Sequence, residues 1–146
     1  MRFYSGEIPC VPDNKFIDDI HTQWFQNYEL LEYGHSYIQW LFPIQEQGLN
    51  PQAQPMQKGE IDFFIRAVND DAAVRNRIVG SYRLMMDFWG FDLIDAERGT
   101  LRRKQDCAPR FDNLNYSSHN YLRITRMLKF FGELRMVSFQ LGALDA

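Results

Sequence analysis

DAAVRNRIVGSYRLMMDFWG, residues 71–90, decides the fold class. Val74, Ile78, Tyr82, Met85 and Trp89 follow one another at spacings of four, four, three and four, which line one face of an α-helix. Arg83 and Asp87 fall on the opposite side. Asn69-Asp70-Asp71 places a capping side chain and negative charge where a helix start favours them, and Gly90 stands where a helix commonly ends.

Outward from this helix the pattern stays helical. Phe16, Ile17, Ile20, Trp24, Tyr28 and Leu31 share about a 120° arc, so a second amphipathic helix is expected from Asp13 or Asn14, as its cap, to a break at Gly34. Before it, the segment to Pro12 reads as extended chain. Ser36–Leu41 reads as a short buried helix stopped before Pro43. Phe42–Pro55, FPIQEQGLNPQAQP, reads as an irregular loop, and Lys58–Ala67 as a helix using Ile61, Phe64 and Ile65. Beyond Gly90, residues 91–94 and 100–102 flank Asp95–Gly99 as a small hairpin, which is marginal alone and must lean on helices. A short helical turn is expected over 108–114. A longer helix, capped by Ser117 or Ser118, then runs to Phe131 with Gly132 as its stop. Tyr121, Ile124, Leu128 and Phe131 form one apolar face of it, and His119, Arg123 and Arg126 cluster opposite. Because Leu122 and Phe130 flank that basic cluster, the helix reads as apolar all round, with its arginines near or inside the interior. The expected architecture is mostly α: a compact single domain over residues 1–146, with about five to seven helices and a β-hairpin near 93–102.

A chain of 146 residues buries roughly 68–70% of its unfolded surface, and an aromatic content of 15% supplies large rings for that core. No apolar run is long enough to span a membrane, and the opening residues lack a secretory signal. Cys10 and Cys107 stand in no metal-ligand or CxxC spacing and are expected as two reduced thiols. The net charge of −3 is unevenly spread. Residues 1–97 hold 7 basic and 15 acidic side chains, a balance of −8, and residues 98–135 hold 9 basic and 3 acidic, a balance of +6. Such asymmetry fits either an anion-binding surface or two oppositely charged parts packed together.

Phosphate loops, nucleophile elbows, HExxH and zinc-finger spacings do not occur. His21, His35 and His119 are scattered, and His21 reads as a boundary residue reaching backbone or solvent. Asp18-Asp19 and Asp70-Asp71 are adjacent pairs that diverge on a helix. No enzyme, cofactor or metal is expected on these grounds. Dense polar and aromatic chemistry is confined to two segments. One is Tyr33–Pro43, where Tyr33, His35, Tyr37 and Trp40 can line a peptide or aromatic pocket or else be core. The other is Asn113–Arg126, where His119, Asn120, Arg123 and Arg126 can hold a carboxylate or else form caps and buried ion pairs. Arg102, Arg103, Lys104, Arg110, Arg123, Arg126 and Lys129 also raise nucleic-acid binding, against which net acidity and a pI near 5.6 count.

These two segments also carry a family likeness. HSYIQWLFPIQEQGLN at 35–50, NLNYSSHNYLRITRMLKFFGEL at 113–134, SYRLMMDFWG at 81–90 and the opening IPCVPDNKFIDDIHTQWF resemble the conserved domain of the opioid growth factor receptor family, from about Phe3 to about Leu141. The resemblance implies a nuclear or perinuclear, non-enzymatic receptor for a methionine enkephalin peptide that restrains growth, unrelated to the seven-helix opioid receptors. The chain ends at Ala146, so the family's long repeat-bearing tail, and functions tied to it, do not carry over. Three readings follow. The chain binds an opioid peptide through Tyr33, His35, Tyr37, Trp40, His119, Asn120, Arg123 and Arg126. Or it is a protein-interaction scaffold with no opioid ligand. Or, least supported, it binds an anion or nucleic acid through 98–135.

Overall fold

The fold was obtained as a computed structural model that describes residues 2–45 and 55–145. Among these residues there are eight helices and one two-stranded antiparallel sheet. In chain order they are α1 (Ile17–Gln23), α2 (Tyr28–Tyr33), α3 (Tyr37–Leu41), α4 (Lys58–Asp70), α5 (Ala72–Phe88), β1 (Phe91–Asp95), β2 (Thr100–Arg103), α6 (Ala108–Tyr116), α7 (His119–Glu133) and α8 (Val137–Asp145). No described helix is long and apolar enough to cross a membrane.

α5 is the central element. Val74, Ile78, Tyr82, Met85 and Trp89 are all buried, as their spacing predicts. Asp71 Oδ1 accepts from the N–H groups of Ala73 and Val74, satisfying two of the orphan donors of the first turn. Gly90, at φ +104°, turns the chain out of the helix into β1. The hairpin forms as expected, with Ile94 bulged between the Leu93–Leu101 and Asp95–Thr100 pairs.

The core is an aromatic lattice. Phe130 of α7 meets Phe42, Phe64 and Phe131 at centroid separations of 5.8, 5.8 and 5.3 Å, mostly edge to face. Phe131 stacks on Phe139 of α8, and Tyr82 joins the pair at 5.2 and 4.9 Å. Five helices and the N-terminal segment therefore converge on a few rings.

Several expectations are corrected. The opening segment is turn-rich rather than extended: Phe3 and Tyr4 are core, and Tyr4 donates a hydrogen bond to Ser81 Oγ. Neither Asp13 nor Asn14 caps the first helix. Asn14 lies in a left-handed turn at φ 55°, a Cys10–Lys15 bridge closes that turn, and Phe16 precedes α1 with no side-chain cap. The expected continuous helix to Gly34 is two, α1 and α2, separated at Gln26 with φ 65°. Asn27 Oδ1 then caps α2. Of the Phe42–Pro55 loop, 46–54 lies outside the described residues. Its ends meet, Met56 N–H donating to Ile44 O at 2.7 Å. The helix expected over 58–67 continues to Asp70, and the turn over 108–114 is the full helix α6.

Asp87 is not on an exposed face. It is 2% exposed, bonded to Lys104 Nζ at 2.5 Å and receiving Tyr28 OH at 3.1 Å. α7 is turned relative to the expected face: Asn120, Arg123, Met127, Phe130 and Phe131 point inward, and Tyr121 is exposed. Ser118 precedes α7 without a side-chain cap bond. Gly132 is inside α7 and does not stop it. A Cβ there would lie 2.6 Å from the side-chain Nε2 of Gln140 in α8, and Arg135, at φ 59°, makes the turn. α8 was not anticipated at all.

Candidate functional site

The two dense segments meet. α2 ends at Tyr33, α3 begins at Tyr37, and the last turn of α6 with the first turn of α7 lies across them. The centre of the junction is Glu32, which the sequence pattern did not single out. Its Oε2 accepts from Asn113 Nδ2 at 3.0 Å and Asn120 Nδ2 at 3.3 Å, and His119 Nε2 lies 3.1 Å from Oε1, off the line of a hydrogen bond and so a charge contact. Burial raises the affinity of this carboxyl for a proton. The hydrogen bonds from Asn113, Ser117 and Asn120 and the His119 charge outweigh it, so the pKa lies below the usual glutamate value.

Arg123 sits beneath, buried. Nη1 donates to Leu31 O at 2.8 Å and to Asn120 Oδ1 at 3.2 Å. Nη2 donates to Gly34 O at 2.6 Å, Glu32 O at 3.2 Å and His35 Nδ1 at 3.2 Å. The guanidinium thus caps the carbonyl end of α2, where both orphan acceptors and the helix dipole favour a cation. Because arginine only donates, Nδ1 of His35 is the acceptor and its proton is on Nε2, facing outward. Burial, then the Arg123 and His119 charges, depress the His35 pKa, against the Glu32 charge.

The eight residues singled out from the sequence divide by depth. Tyr37 is buried, its hydroxyl donating to Leu31 O at 2.6 Å, and Asn120 is buried, receiving Trp89 Nε1 at 3.3 Å. With Arg123 they form the floor of the junction. Tyr33, His35 and His119 reach the surface, the two imidazoles 5.5 Å apart. Trp40 and Arg126 do not join this group. Trp40 is half-buried against Phe3 and donates to Val11 O at 2.9 Å, and Arg126 Nε donates to Phe42 O at 2.9 Å. The sequence reading found only part of an exposed apolar rim. Tyr33, which it singled out, is 74% exposed, and it did not single out Tyr116 at 90%, Leu122 at 71% or Tyr121 at 50%, on the end of α6 and the start of α7 beside His119. Periodicity hid Tyr121 and Leu122, since it set Tyr121 on the apolar face of α7 and read Leu122 as part of a helix apolar all round.

A serine–histidine contact elsewhere in the fold is engaged internally. Ser81 Oγ lies 3.0 Å from His21 Nε2 but is fully buried and also receives Tyr4 OH, so it has no route to a substrate. His21 itself is a half-buried boundary residue packed on Gly80, its nitrogen on the Ser81 hydroxyl and not on backbone or solvent. Burial, partly opposed by Asp18 and reinforced by Arg77, pushes its pKa from 6.5 to about 4. Between those values the unfolded chain binds a proton that the folded chain refuses. Stability is therefore full above pH 6.5, falls as pH drops toward 4, and the loss saturates near about 3 kcal/mol. In urea unfolding across pH 4–7, His21→Gln is expected to remove that slope; an unchanged slope rejects the assignment.

Among the described residues no group of three or more His, Cys, Asp or Glu has an arrangement suited to a metal ion. Cys10 and Cys107 are free thiols. The basic 98–135 region does not present its charges together. Arg123 is internal, Lys104 is clamped by Asp87 and Asp92, Arg110 lies 4.0 Å over Tyr28 and Arg103 lies over Phe111. Lys104 joins the acidic and basic parts of the molecule through its pairs with Asp87 and Asp92.

Comparison with known proteins agrees with the likeness in these segments. The family described as "Opioid growth factor receptor (OGFr) conserved region" matches residues 1–144. Human opioid growth factor receptor is 46% identical over 140 residues, 96% of this chain and 20% of that protein. Opioid growth factor receptor-like protein 1 of Xenopus tropicalis is 46% identical over 140 residues, 96% of this chain and 26% of that protein, and its mouse counterpart is 44% identical, with 29% of that protein covered. The chain thus spans between a fifth and a third of these relatives. No solved structure matches.

Proposed function

The chain belongs to the opioid growth factor receptor family, and from that premise we propose that it is a non-enzymatic recognition domain that binds a peptide on the aromatic rim around His35 and His119. The observation that carries this reading is the rim itself. Tyr33, Tyr116, Tyr121 and Leu122 stand exposed about two imidazoles 5.5 Å apart, over a floor whose polar groups are already satisfied. Rigid rings over an ordered floor give contact area at little entropic cost, as recognition surfaces require. His35 Nε2–H is an outward donor for a peptide carbonyl or carboxylate. The relatives are named as receptors for opioid growth factor, so the first ligand to test is an opioid peptide of the methionine enkephalin type.

Calorimetric titration of that peptide is expected to give a saturable heat. Tyr116→Ala and Leu122→Ala, both on exposed side chains, are each expected to weaken it about tenfold, or about 1.4 kcal/mol. Absence of heat at millimolar peptide removes the opioid reading for this chain. A second reading, that the rim takes a folded protein and no opioid peptide, is favoured by how far Tyr116 and Leu122 project: they stand proud of the surface instead of walling a recess. Membership in the family also supports a nuclear or perinuclear site of action. Imaging of the tagged chain checks this, and a signal confined to the plasma membrane contradicts it.

A further inference from the structure

A second groove, of 270 Å³, lies away from the rim, between the α1–α2 turn, the last turns of α5 and the hairpin, and its walls include Phe25, Gln26, Arg83, Asp87, Asp92 and Lys104. We infer that it is a binding site for a monocarboxylate carried next to an apolar or aromatic group, with Arg83 as the receiving cation.

Three of the four charged groups in the groove contact one another. Lys104 Nζ lies 2.5 Å from Asp87 Oδ1 and 2.6 Å from Asp92 Oδ1, and the second oxygen of Asp87 receives Tyr28 OH. This clamp ties the hairpin to α5. Arg83 stands apart. Its side chain is exposed, its guanidinium lies 4.4 Å over the Phe25 ring, and among the described residues it makes no hydrogen bond and no ion pair. The contact with Phe25 involves the ring face, and no protein acceptor among the described residues takes the N–H fork of Arg83. That fork matches one carboxylate in a bidentate geometry.

Charge fixes the class of anion. Two cations face two carboxylates, so the empty groove is neutral overall, and Arg83 is the cation in it that makes no ion pair. A monocarboxylate on the Arg83 fork leaves one net negative charge beside Asp87 and Asp92, whereas a dianion such as a phosphate monoester leaves two, so the monoanion is favoured over the dianion. Phe25, Phe91 and Leu93 supply the apolar wall for the group beside the carboxylate. Gln26 lines the same groove in the left-handed region at φ 65°, where a non-glycine residue is strained, and such strain gathers at functional sites. A small free acid and a peptide C terminus share this chemistry.

The test is an NMR titration of the whole chain with N-acetylphenylalanine, hydrocinnamate, N-acetylphenylalanine amide and phenyl phosphate, reading the Arg83 side-chain N–H and the amides of Gln26 and Leu93. Both acids are expected to give saturable shifts there. The amide is expected to bind about tenfold more weakly or worse, as are both acids with Arg83→Gln, and Arg83→Lys, which keeps the charge and loses the fork, is expected to weaken them too. Arg83 is exposed, and thermal melting confirms that these variants fold. Tighter binding of the acetylated amino acid points to a peptide C terminus, and tighter binding of hydrocinnamate to a free acid. The proposal is overturned if the amide matches the acids, if phenyl phosphate exceeds them, if Arg83→Gln binds like the parent, or if no saturable shift occurs at these reporters. Tyr116→Ala leaves these shifts unchanged, so this site and the rim succeed or fail separately.

Discussion

Replacing Arg123 by methionine is expected to lower the unfolding free energy by about 4 kcal/mol, from the loss of its hydrogen bonds to four protein oxygens at about 1 kcal/mol each. Methionine fills much of the same volume, so the effect isolates the guanidinium and not the packing of its stem. The acceptors affected are the carbonyls of Leu31, Glu32 and Gly34 and the amide oxygen of Asn120, on two different segments. Leu31 O keeps the Tyr37 hydroxyl and Asn120 Oδ1 keeps Trp89 Nε1, while the carbonyls of Glu32 and Gly34 lose the guanidinium, and Asn120 Nδ2 and Asn113 Nδ2 are already engaged with Glu32. Chemical unfolding measures the change. For a chain of this size it corresponds to a fall of roughly 8–16 °C in Tm. A loss below about 1 kcal/mol would mean that water already serves these carbonyls, and that Arg123 is not the cap of α2.

Lys104→Met is expected to be of the same size, about 3–5 kcal/mol, for a different reason. Asp87 stays almost wholly buried, and without Lys104 its charge is left with the Tyr28 hydroxyl alone. Burial disfavours the Lys104 ammonium, yet the hydrogen bonds and charges of Asp87 and Asp92 more than compensate, so its pKa lies above the usual lysine range. The double variant Lys104→Met/Asp87→Leu removes both charges and should recover most of the loss, since a buried pair is often replaceable by apolar groups when neither charge remains. Additive single and double effects in a thermodynamic cycle would show that the two residues do not act as a pair.

These two residues also mark where the sequence could and could not be read. α5 was legible because its apolar spacing, its Asp71 cap and its Gly90 stop agree with one another and involve only local contacts. Asp87, on the same helix, was not. Its partner is on the far side of a hairpin, and periodicity places an aspartate outside by default. α7 was misplaced for a related reason: its apolar face was drawn through Tyr121 with Arg123 opposite, and Asn120 and Arg123 point inward because the carbonyl end of α2 needs donors. Only the three-dimensional meeting of α2 and α7 supplies that information. The expectation that these arginines approach the interior does hold for Arg123, and it came from Leu122 and Phe130 flanking the cluster rather than from charge.

The division of the first helix had no local signal. The apolar arc from Phe16 to Leu31 is continuous, and the left-handed residue that interrupts it is Gln26, where glycine or asparagine would have announced a turn. Gly132 misled for the opposite reason. It is a glycine within the helix that faces the Gln140 side chain of α8, and the turn is made by Arg135. The site was half legible: its two segments stood out, and their meeting point, Glu32, and most of their exposed rim did not.

The central claim is that the rim of Tyr33, His35, Tyr116, His119, Tyr121 and Leu122 is the recognition surface and that Arg123, Asn120 and Tyr37 are its floor. It is tested most directly by mapping amide and aromatic NMR shifts on the chain as methionine enkephalin, or an established protein partner, is added. The expected map is a contiguous set of saturable shifts on those six exposed residues, with the Arg123 side-chain N–H signals in place throughout. A saturable map centred elsewhere, or one in which the Arg123 hydrogen bonds break as the ligand enters, contradicts it.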